Sequence, residues 1–171
     1  RVLDVATGTG RTLQQIRSAM PKVELLGIDL SDAYLKRASK HLNTQNKQLV
    51  QLLRGNAEKL PFASETIQGI TCVFLLHEIP QKARQNVIEE CLRVLEPGGV
   101  FVLADSIQIE DSPQFCTILE NFPKIFHEPY YRDYINDDIN SRLSSSGFEG
   151  ITSESHFMTR VWTANKPLIQ D

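Results

Sequence analysis

Residues 2–10 read VLDVATGTG, a short apolar run that is broken only by Asp4 and that ends in a glycine-rich turn. Short apolar runs bounded by turn residues are typical of buried β-strands. In an open parallel sheet, ligands bind beyond the carboxyl ends of the strands. Gly8 and Gly10 follow such an end, where the missing side chains let the backbone approach a ligand closely. The alternative is a tight strand-to-helix turn that binds no ligand.

Strand-like and helix-like segments alternate from this turn to residue 104. Amphipathic helical patterns follow the first, second and fourth apolar runs and begin near Arg11, Ser31 and Pro80. The second helix has Tyr34, Leu35, Ala38 and Leu42 on its apolar face, and the third has Ala83, Val87, Cys91 and Val94. Such alternation indicates a parallel sheet covered by helices. We expect strands over residues 2–6, 23–30, 49–53, 67–76 and 100–104.

The alternation of strand-like and helix-like segments ends in the last third of the chain. Residues 111–147 are expected to be helical or irregular, with a short helix that Asp138 caps and that ends at Gly147. Two strand-like runs over 148–157 and 158–164 predict an antiparallel hairpin at one edge of the sheet. The prediction is therefore an α/β fold: an open sheet of about seven strands, mostly parallel with an antiparallel C-terminal hairpin, and helices on both faces.

Composition excludes several classes of protein. The chain has 171 residues, of which 41% are hydrophobic and 23% charged, values that are ordinary for a globular domain. The net charge of −3 disfavours nucleic acid as a partner, and no apolar run approaches the roughly 20 residues that span a bilayer. Cys72, Cys91 and Cys116 form no CxxC spacing, so we expect neither a disulfide framework nor a metal site. Free thiols suit a reducing compartment, and we expect a cytoplasmic protein.

An acidic residue closes the second apolar run. Asp29 lies 21 residues after Gly8, and a carboxylate there can accept hydrogen bonds from both hydroxyls of a ribose. This predicts that the chain binds an adenosine compound. The alternative is that Asp29 caps the next helix or stabilises its N-terminal dipole. Leu13 stands where the dinucleotide fingerprint has its third glycine, which disfavours a nicotinamide cofactor. The lysine of a phosphate-binding P-loop is also missing after this turn.

Five segments together resemble the class I S-adenosyl-L-methionine (SAM)-dependent methyltransferases, in particular small-molecule enzymes of ubiquinone and menaquinone biosynthesis. The resemblance implies a Rossmann-like fold and transfer of a methyl group from SAM to the oxygen or carbon of a small molecule. The segments are VLDVATGTG at 2–10, GIDLS at 27–31, GNAEKLPF at 55–62, VFLLHEIP at 73–80 and RVLEPGG at 93–99.

The resemblance also implies which residues bind the cofactor. Asp4 would receive the ammonium group of SAM through water, and Asp29 would bind the ribose. Asn56 stands where the family often has Asp, so whether it donates or accepts toward adenine stays open. The full set implied is Asp4, Ala6, Thr7, Gly8 and Gly10 around the methionine part, Asp29 and Leu30 at the ribose and adenine, Asn56 and Ala57 at the adenine edge, and Leu75 beneath the sulfonium.

The acceptor side would lie where the fourth and fifth strands end. His77 is the candidate for acceptor contact or for general-base catalysis, since its ordinary pKa lies near neutrality. Glu78 could orient His77, and Asp105 could bind acceptor hydroxyls. For each of the three, the alternative is a structural role in shaping the pocket or capping a helix. The aromatic and polar stretch at 127–134 could line the acceptor pocket.

We interpret residues 1–171 as a single catalytic domain and as a fragment that lacks the helices preceding the first strand in such enzymes. The expected partner is a small-molecule acceptor, with no nucleic acid and no membrane span; a homodimer is compatible with the sequence. Two other functions stay open, a nicotinamide-dependent oxidoreductase and a non-catalytic binding module with the same fold.

Overall fold

The strands form one sheet in a computed structural model that describes residues 1–43 and 50–169. The strands are β1 (Val2–Val5), β2 (Leu25–Asp29), β3 (Val50–Arg54), β4 (Ile67–Val73), β5 (Leu95–Ser106), β6 (Glu149–His156) and β7 (Thr159–Asn165), in the spatial order β3-β2-β1-β4-β5-β7-β6. β1 to β5 are parallel, and β7 pairs antiparallel with both β5 and β6. The α/β prediction and the C-terminal hairpin are confirmed.

Six α-helices cover the sheet. They are α1 (Arg11–Ala19), α2 (Asp32–Asn43), α3 (Gln81–Val94), α4 (Cys116–Phe126), α5 (Tyr131–Tyr134) and α6 (Ile139–Ser146), with this count limited to the described ranges. The chain winds outward from β1 in both directions, and right-handed crossovers then put α1 and α2 on one face and α3 on the other. The gap between β1 and β4 is the point where the winding direction reverses, which is where open α/β sheets bind ligands.

The fourth strand is three residues shorter than its apolar run suggests. β4 ends at Val73 because Phe74 takes a left-handed backbone conformation, with φ of 54°. A short 3₁₀ turn follows at Leu76–Glu78, and the side chain of Asp105 accepts a hydrogen bond from the Leu76 N–H at 2.8 Å. A carboxylate from the neighbouring strand thus takes the place of the backbone carbonyl that would accept the next hydrogen bond between β4 and β5.

Other strand ends also move by one to five residues. β5 begins at Leu95 instead of residue 100, and its pairing with β4 shifts across the Pro97-Gly98-Gly99 turn, where Gly98 has φ of 77°. β2 begins at Leu25, two residues later than expected. Of the predicted third strand, Leu49 lies outside the described residues.

The helix predictions hold at most of the expected positions. Ala83, Val87, Cys91 and Val94 of α3 are buried as expected, Asp138 caps α6, and Gly147 ends it in a left-handed conformation. Tyr34 was expected on the apolar face of α2, but it is 53% exposed and lines a cavity beyond the strand ends, whereas Ala38 on the same face is fully buried.

Arg84 is a buried cation that the apolar pattern of α3 does not reveal. Its guanidinium donates to the carbonyl oxygens of Leu76 at 2.8 Å and Tyr130 at 3.0 Å. It also forms ion pairs with Asp133 and Asp137 at 2.8 and 2.9 Å. Because these partners belong to the 3₁₀ turn and to the segment around α5, Arg84 fixes the two segments to each other.

Within residues 1–43 and 50–169, no helix has both the length and the apolar character that a membrane crossing requires.

Replacing Arg84 by Met should lower the free energy of unfolding by about 3–5 kcal/mol, because the carbonyl oxygens of Leu76 and Tyr130 would lose their buried donor and Asp137 would keep its ion pair with Arg142 but lose the one with Arg84. Denaturant unfolding measures the change. Lys82→Met on the same helix is the matched control, since Lys82 is exposed. Equal unfolding free energies for the two variants would contradict the role of Arg84.

Candidate functional site

A cavity of about 560 Å³ lies at the carboxyl ends of β1, β2 and β4, next to the point where the winding reverses. This volume is within the range of small-molecule sites. Seven of the ten residues predicted to bind the cofactor line it: Ala6, Gly8, Asp29, Leu30, Asn56, Ala57 and Leu75. Asp4, Thr7 and Gly10 do not.

The two glycines of the first turn have different physical reasons to be glycine. Gly8 has φ of 53°, and a Cβ built there would meet nothing nearer than the Ala6 oxygen at 3.9 Å, so the space above its backbone is open to a ligand. Gly10 has φ of 78°, but its Cβ would lie 3.0 Å from the Ala38 Cβ. Gly10 therefore allows α1 to start close against α2, which explains why it does not line the cavity.

Two residues other than glycine are held in left-handed conformations at the cavity wall. They are Ala6, with φ of 56°, and Phe74, with φ of 54°, at the ends of β1 and β4. Such conformations cost roughly 1–2 kcal/mol each, and they cluster at functional sites. Neighbouring hydrogen bonds hold both: Thr7 N–H donates to the Ile28 oxygen at 3.0 Å, and Phe74 N–H donates to the Ala104 oxygen at 2.8 Å.

Asp29 joins the glycine turn to the end of β2. One carboxylate oxygen accepts from the Gly8 N–H and the other from the Ser31 N–H, both at 2.8 Å. Each oxygen of a carboxylate has a second lone pair, and Asp29 lines the cavity. The side chain can therefore hold the turn in place and still accept hydrogen bonds from a ligand.

Asp4 is a buried carboxylate below the glycine turn, with 1% of its surface exposed. It accepts hydrogen bonds of 2.6 Å from the hydroxyls of Thr7 and Thr71. Burial raises the pKa of Asp4 to about 6, although these two bonds act in the opposite direction. Asp4 is thus a carboxylate that changes charge just below neutral pH.

The outer part of the cavity combines apolar surface with one amide. Leu30 is 67% exposed, and Tyr34, which sequence reasoning assigned to the helix core, also lines the cavity. The Asn56 side-chain oxygen accepts from the Glu58 N–H at 2.9 Å, which leaves its amide nitrogen available to donate. Apolar groups beside a polar one are typical of a wall that binds a small molecule.

Asp105 and His77 form a pair where β4 and β5 end, next to the cavity-lining Glu78, and neither of the two lines the cavity itself. The Asp105 carboxylate is fully buried and accepts from the N–H groups of Leu76 and Ser106 at 2.8 and 2.7 Å. It lies 2.6 Å from Nδ1 of His77. Because a carboxylate that already accepts two N–H groups takes a third donor here, Nδ1 carries the proton and Nε2 is the ring nitrogen available for other contacts.

This pairing differs from the roles expected for Glu78 and Asp105. Asp105 orients the His77 ring and is too buried to bind acceptor hydroxyls directly. Glu78 lines the cavity, and within the described residues it makes no hydrogen bond to His77. Burial lowers the pKa of His77, but the hydrogen bond and charge of Asp105 outweigh it, so the pKa is raised overall. Burial also raises the pKa of Glu78.

Aromatic side chains surround the His77 ring edge-on. The ring centroids of Tyr131, Tyr134 and Phe74 lie 5.8, 6.1 and 6.2 Å away. The hydroxyls of the two tyrosines bond to the side chain and the carbonyl of Ser106, at 2.6 and 2.7 Å. Part of the 127–134 stretch therefore packs around His77. Phe74 was not predicted as a site residue, because in the sequence it is one more apolar residue of a strand.

Comparison with known proteins identifies one matching family and several relatives. The family described as "Methyltransferase domain" matches residues 2–99. A ubiquinone/menaquinone biosynthesis C-methyltransferase of Syntrophotalea carbinolica is 36% identical over 108 residues, which are 63% of this chain and 44% of that protein. An uncharacterized methyltransferase of a Synechocystis species is 31% identical over 148 residues, 86% of this chain and 66% of that protein. The chain spans about half the length of the curated relatives it matches.

Solved structures show the same fold at low sequence identity. A SAM-dependent methyltransferase of Methanosarcina mazei matches with a TM-score of 0.72 at 18% identity, covering 98% of this chain and 92% of that one. The [4+2]-cyclase SpnF matches with a TM-score of 0.74 at 17% identity, covering 98% of this chain and 75% of that one. Because a cyclase shares the architecture, the fold alone does not decide the reaction.

Proposed function

The chain belongs to the methyltransferase-domain family, and we propose that it transfers a methyl group from SAM to a small-molecule acceptor. The observation that carries the proposal is Asp29, whose carboxylate lines the cavity while it holds the open Gly8 turn. This arrangement gives a ribose two oxygens that can accept hydrogen bonds. It also gives the amino-acid part of SAM a backbone surface that no side chain covers. A cavity of about 560 Å³ accommodates both parts.

The residues present fit SAM at each of its parts. Asp29 would hold the ribose hydroxyls, Leu30 and Tyr34 would cover the adenine, and the free amide nitrogen of Asn56 would donate to an adenine ring nitrogen. Asp4 would stabilise the ammonium group through water, since it lies below the cavity wall. The bound cofactor supplies a methyl group that is already activated on a sulfonium, so the chain mainly positions the reactants and excludes water.

The acceptor is proposed to lie against His77, where β4 and β5 end. Asp105 positions the ring, His77 lies beside the acceptor, and Glu78 lines the adjoining wall. The aromatic rings of Phe74 and Tyr131 beside His77 suit a ring-shaped acceptor that is methylated at oxygen or carbon. The names of the relatives favour a carbon of a quinol ring. We propose that the chain acts as a single catalytic domain.

S-adenosylhomocysteine (SAH), the demethylated cofactor, should stabilise the folded chain. At a concentration of about 100 times Kd it should add about 2.7 kcal/mol and raise the Tm by roughly 5–10 °C. Differential scanning fluorimetry with SAH, and with NADH as the comparison, measures this. A shift with NADH alone would indicate an oxidoreductase; no shift with either ligand would contradict the cofactor assignment.

The affinity for SAH should depend on pH through Asp4. The Asp4 pKa is about 6, so the side chain is ionised above this pH and can stabilise the ligand's ammonium, and it loses this ability as the pH falls. Asp4→Asn should weaken binding about tenfold at pH 7 and much less at pH 5, as measured by calorimetry. A gap between wild type and variant that stays constant over this range would contradict the role of Asp4.

His77→Asn should separate the acceptor side from the cofactor side. Removing the ring that faces the acceptor should lower kcat/KM at least about a hundredfold, while the Kd for SAH changes by less than about twofold. The assay follows SAH formation with demethylmenaquinol and a catechol as acceptors. An equal loss in cofactor affinity would place His77 at the cofactor instead.

A further inference from the structure

We propose that His77, Glu78 and Glu128 form a binding site for a divalent metal ion beside the cavity. One ligand atom from each side chain can be chosen so that all three lie within 4.8 Å of one another. His77 and Glu78 belong to the 3₁₀ turn after β4, and Glu128 lies just before α5. The distance of 50 residues between Glu78 and Glu128 explains why no sequence spacing indicated a metal site.

The histidine is already oriented as a metal ligand. Its Nδ1 is bound to the buried Asp105 carboxylate, which leaves Nε2 as the coordinating atom. Metal-binding histidines almost always donate their other ring N–H to a carboxylate or carbonyl, which fixes the tautomer and the ring direction. Tyr131 and Tyr134 pack edge-on against the same ring and restrict its rotation further.

The two glutamates carry charge that the described residues leave unpaired. Within residues 1–43 and 50–169, neither Glu78 nor Glu128 has a side-chain hydrogen bond or a salt bridge, and the one opposite charge that acts on Glu78 there is that of His77. With Asp105, three carboxylates therefore surround one imidazole. The cations nearby are engaged elsewhere or do not reach: Arg84 pairs with Asp133 and Asp137, and Lys124 donates to Asn121. Arg132 lines a surface pocket with Glu128 but forms no ion pair with it.

The ligand set suits a first-row transition metal. One imidazole nitrogen and two carboxylate oxygens are the donors that Mn²⁺ and Zn²⁺ accept, whereas Mg²⁺ and Ca²⁺ prefer oxygen alone. Ligand atoms about 2.0–2.2 Å from a metal can lie as much as about 4.4 Å apart across it. The observed limit of 4.8 Å therefore needs only small side-chain rotations, which the exposed Glu78 can make.

Three protein ligands leave coordination positions open, and one of the three, Glu78, also lines the cavity. If the proposed function holds, these positions would bind an oxygen atom of the acceptor, such as a ring hydroxyl. The metal site itself does not depend on that function, because its ligands are separate from the residues proposed to bind the cofactor.

The test is titration of the chain, freed of metal with EDTA and desalted, with Mn²⁺, followed by electron paramagnetic resonance of the free ion. We expect one saturable site, and Zn²⁺ should displace the bound Mn²⁺. Glu128→Gln should weaken binding at least tenfold, and its matched control Glu120→Gln, an exposed glutamate of α4, should bind as the wild type does. Bound Mn²⁺ should also broaden the imidazole NMR signals of His77, which a distant surface site would leave sharp.

Saturable binding that is weaker than about 1 mM, or equal affinities of Glu128→Gln and Glu120→Gln, would overturn the metal site. SAH binding measured in EDTA keeps the two proposals apart. If SAH binds and Mn²⁺ does not, the metal site fails and the proposed function stands; if Mn²⁺ binds and SAH does not, the reverse holds.

Discussion

The buried carboxylate of Asp105 is the interaction on which the end of the sheet depends. A charge removed from water needs donors around it, and Asp105 obtains three, from the N–H groups of Leu76 and Ser106 and from the His77 ring. β4 ends before the left-handed Phe74, and the Leu76 bond then holds the turn that carries His77. Arg84 then ties the Leu76 carbonyl to the segment around α5. One side chain thus holds both the turn after β4 and the ring of His77.

The two sides of the cavity are built by different means. On the side proposed for the cofactor, Asp29 and Asn56 each accept from an N–H two residues on, those of Ser31 and Glu58, and Asp29 also accepts from the Gly8 N–H, 21 residues before it. On the side proposed for the acceptor, His77 depends on Asp105, 28 residues away. Substitutions around His77 can therefore change the acceptor pocket while the turns opposite keep their own hydrogen bonds.

That difference also explains what could be predicted from the sequence. The alternation of apolar runs and helical patterns was sufficient for the sheet and the hairpin, because these features follow local periodicity and turn chemistry. The seven residues of the cavity wall were implied by the resemblance to the methyltransferase family. The pairing of Asp105 with His77 and the burial of Arg84 depend on side chains that only folding brings together. Phe74 was predicted to lie in a strand, because an apolar run gives no sign that one of its residues takes a left-handed conformation. The roles of the individual site residues stay predictions.

The position of β7 between β5 and β6 constrains the order in which the molecule can be completed during synthesis. β6 leaves the ribosome before β7, yet its partner in the sheet is β7, and one edge of β5 stays open until β7 arrives. Phe101 and Leu103 of β5 lie opposite Ala164 and Trp162 of β7. A nascent chain that has reached β6 therefore still exposes an unpaired apolar strand edge, the kind of surface that chaperones bind.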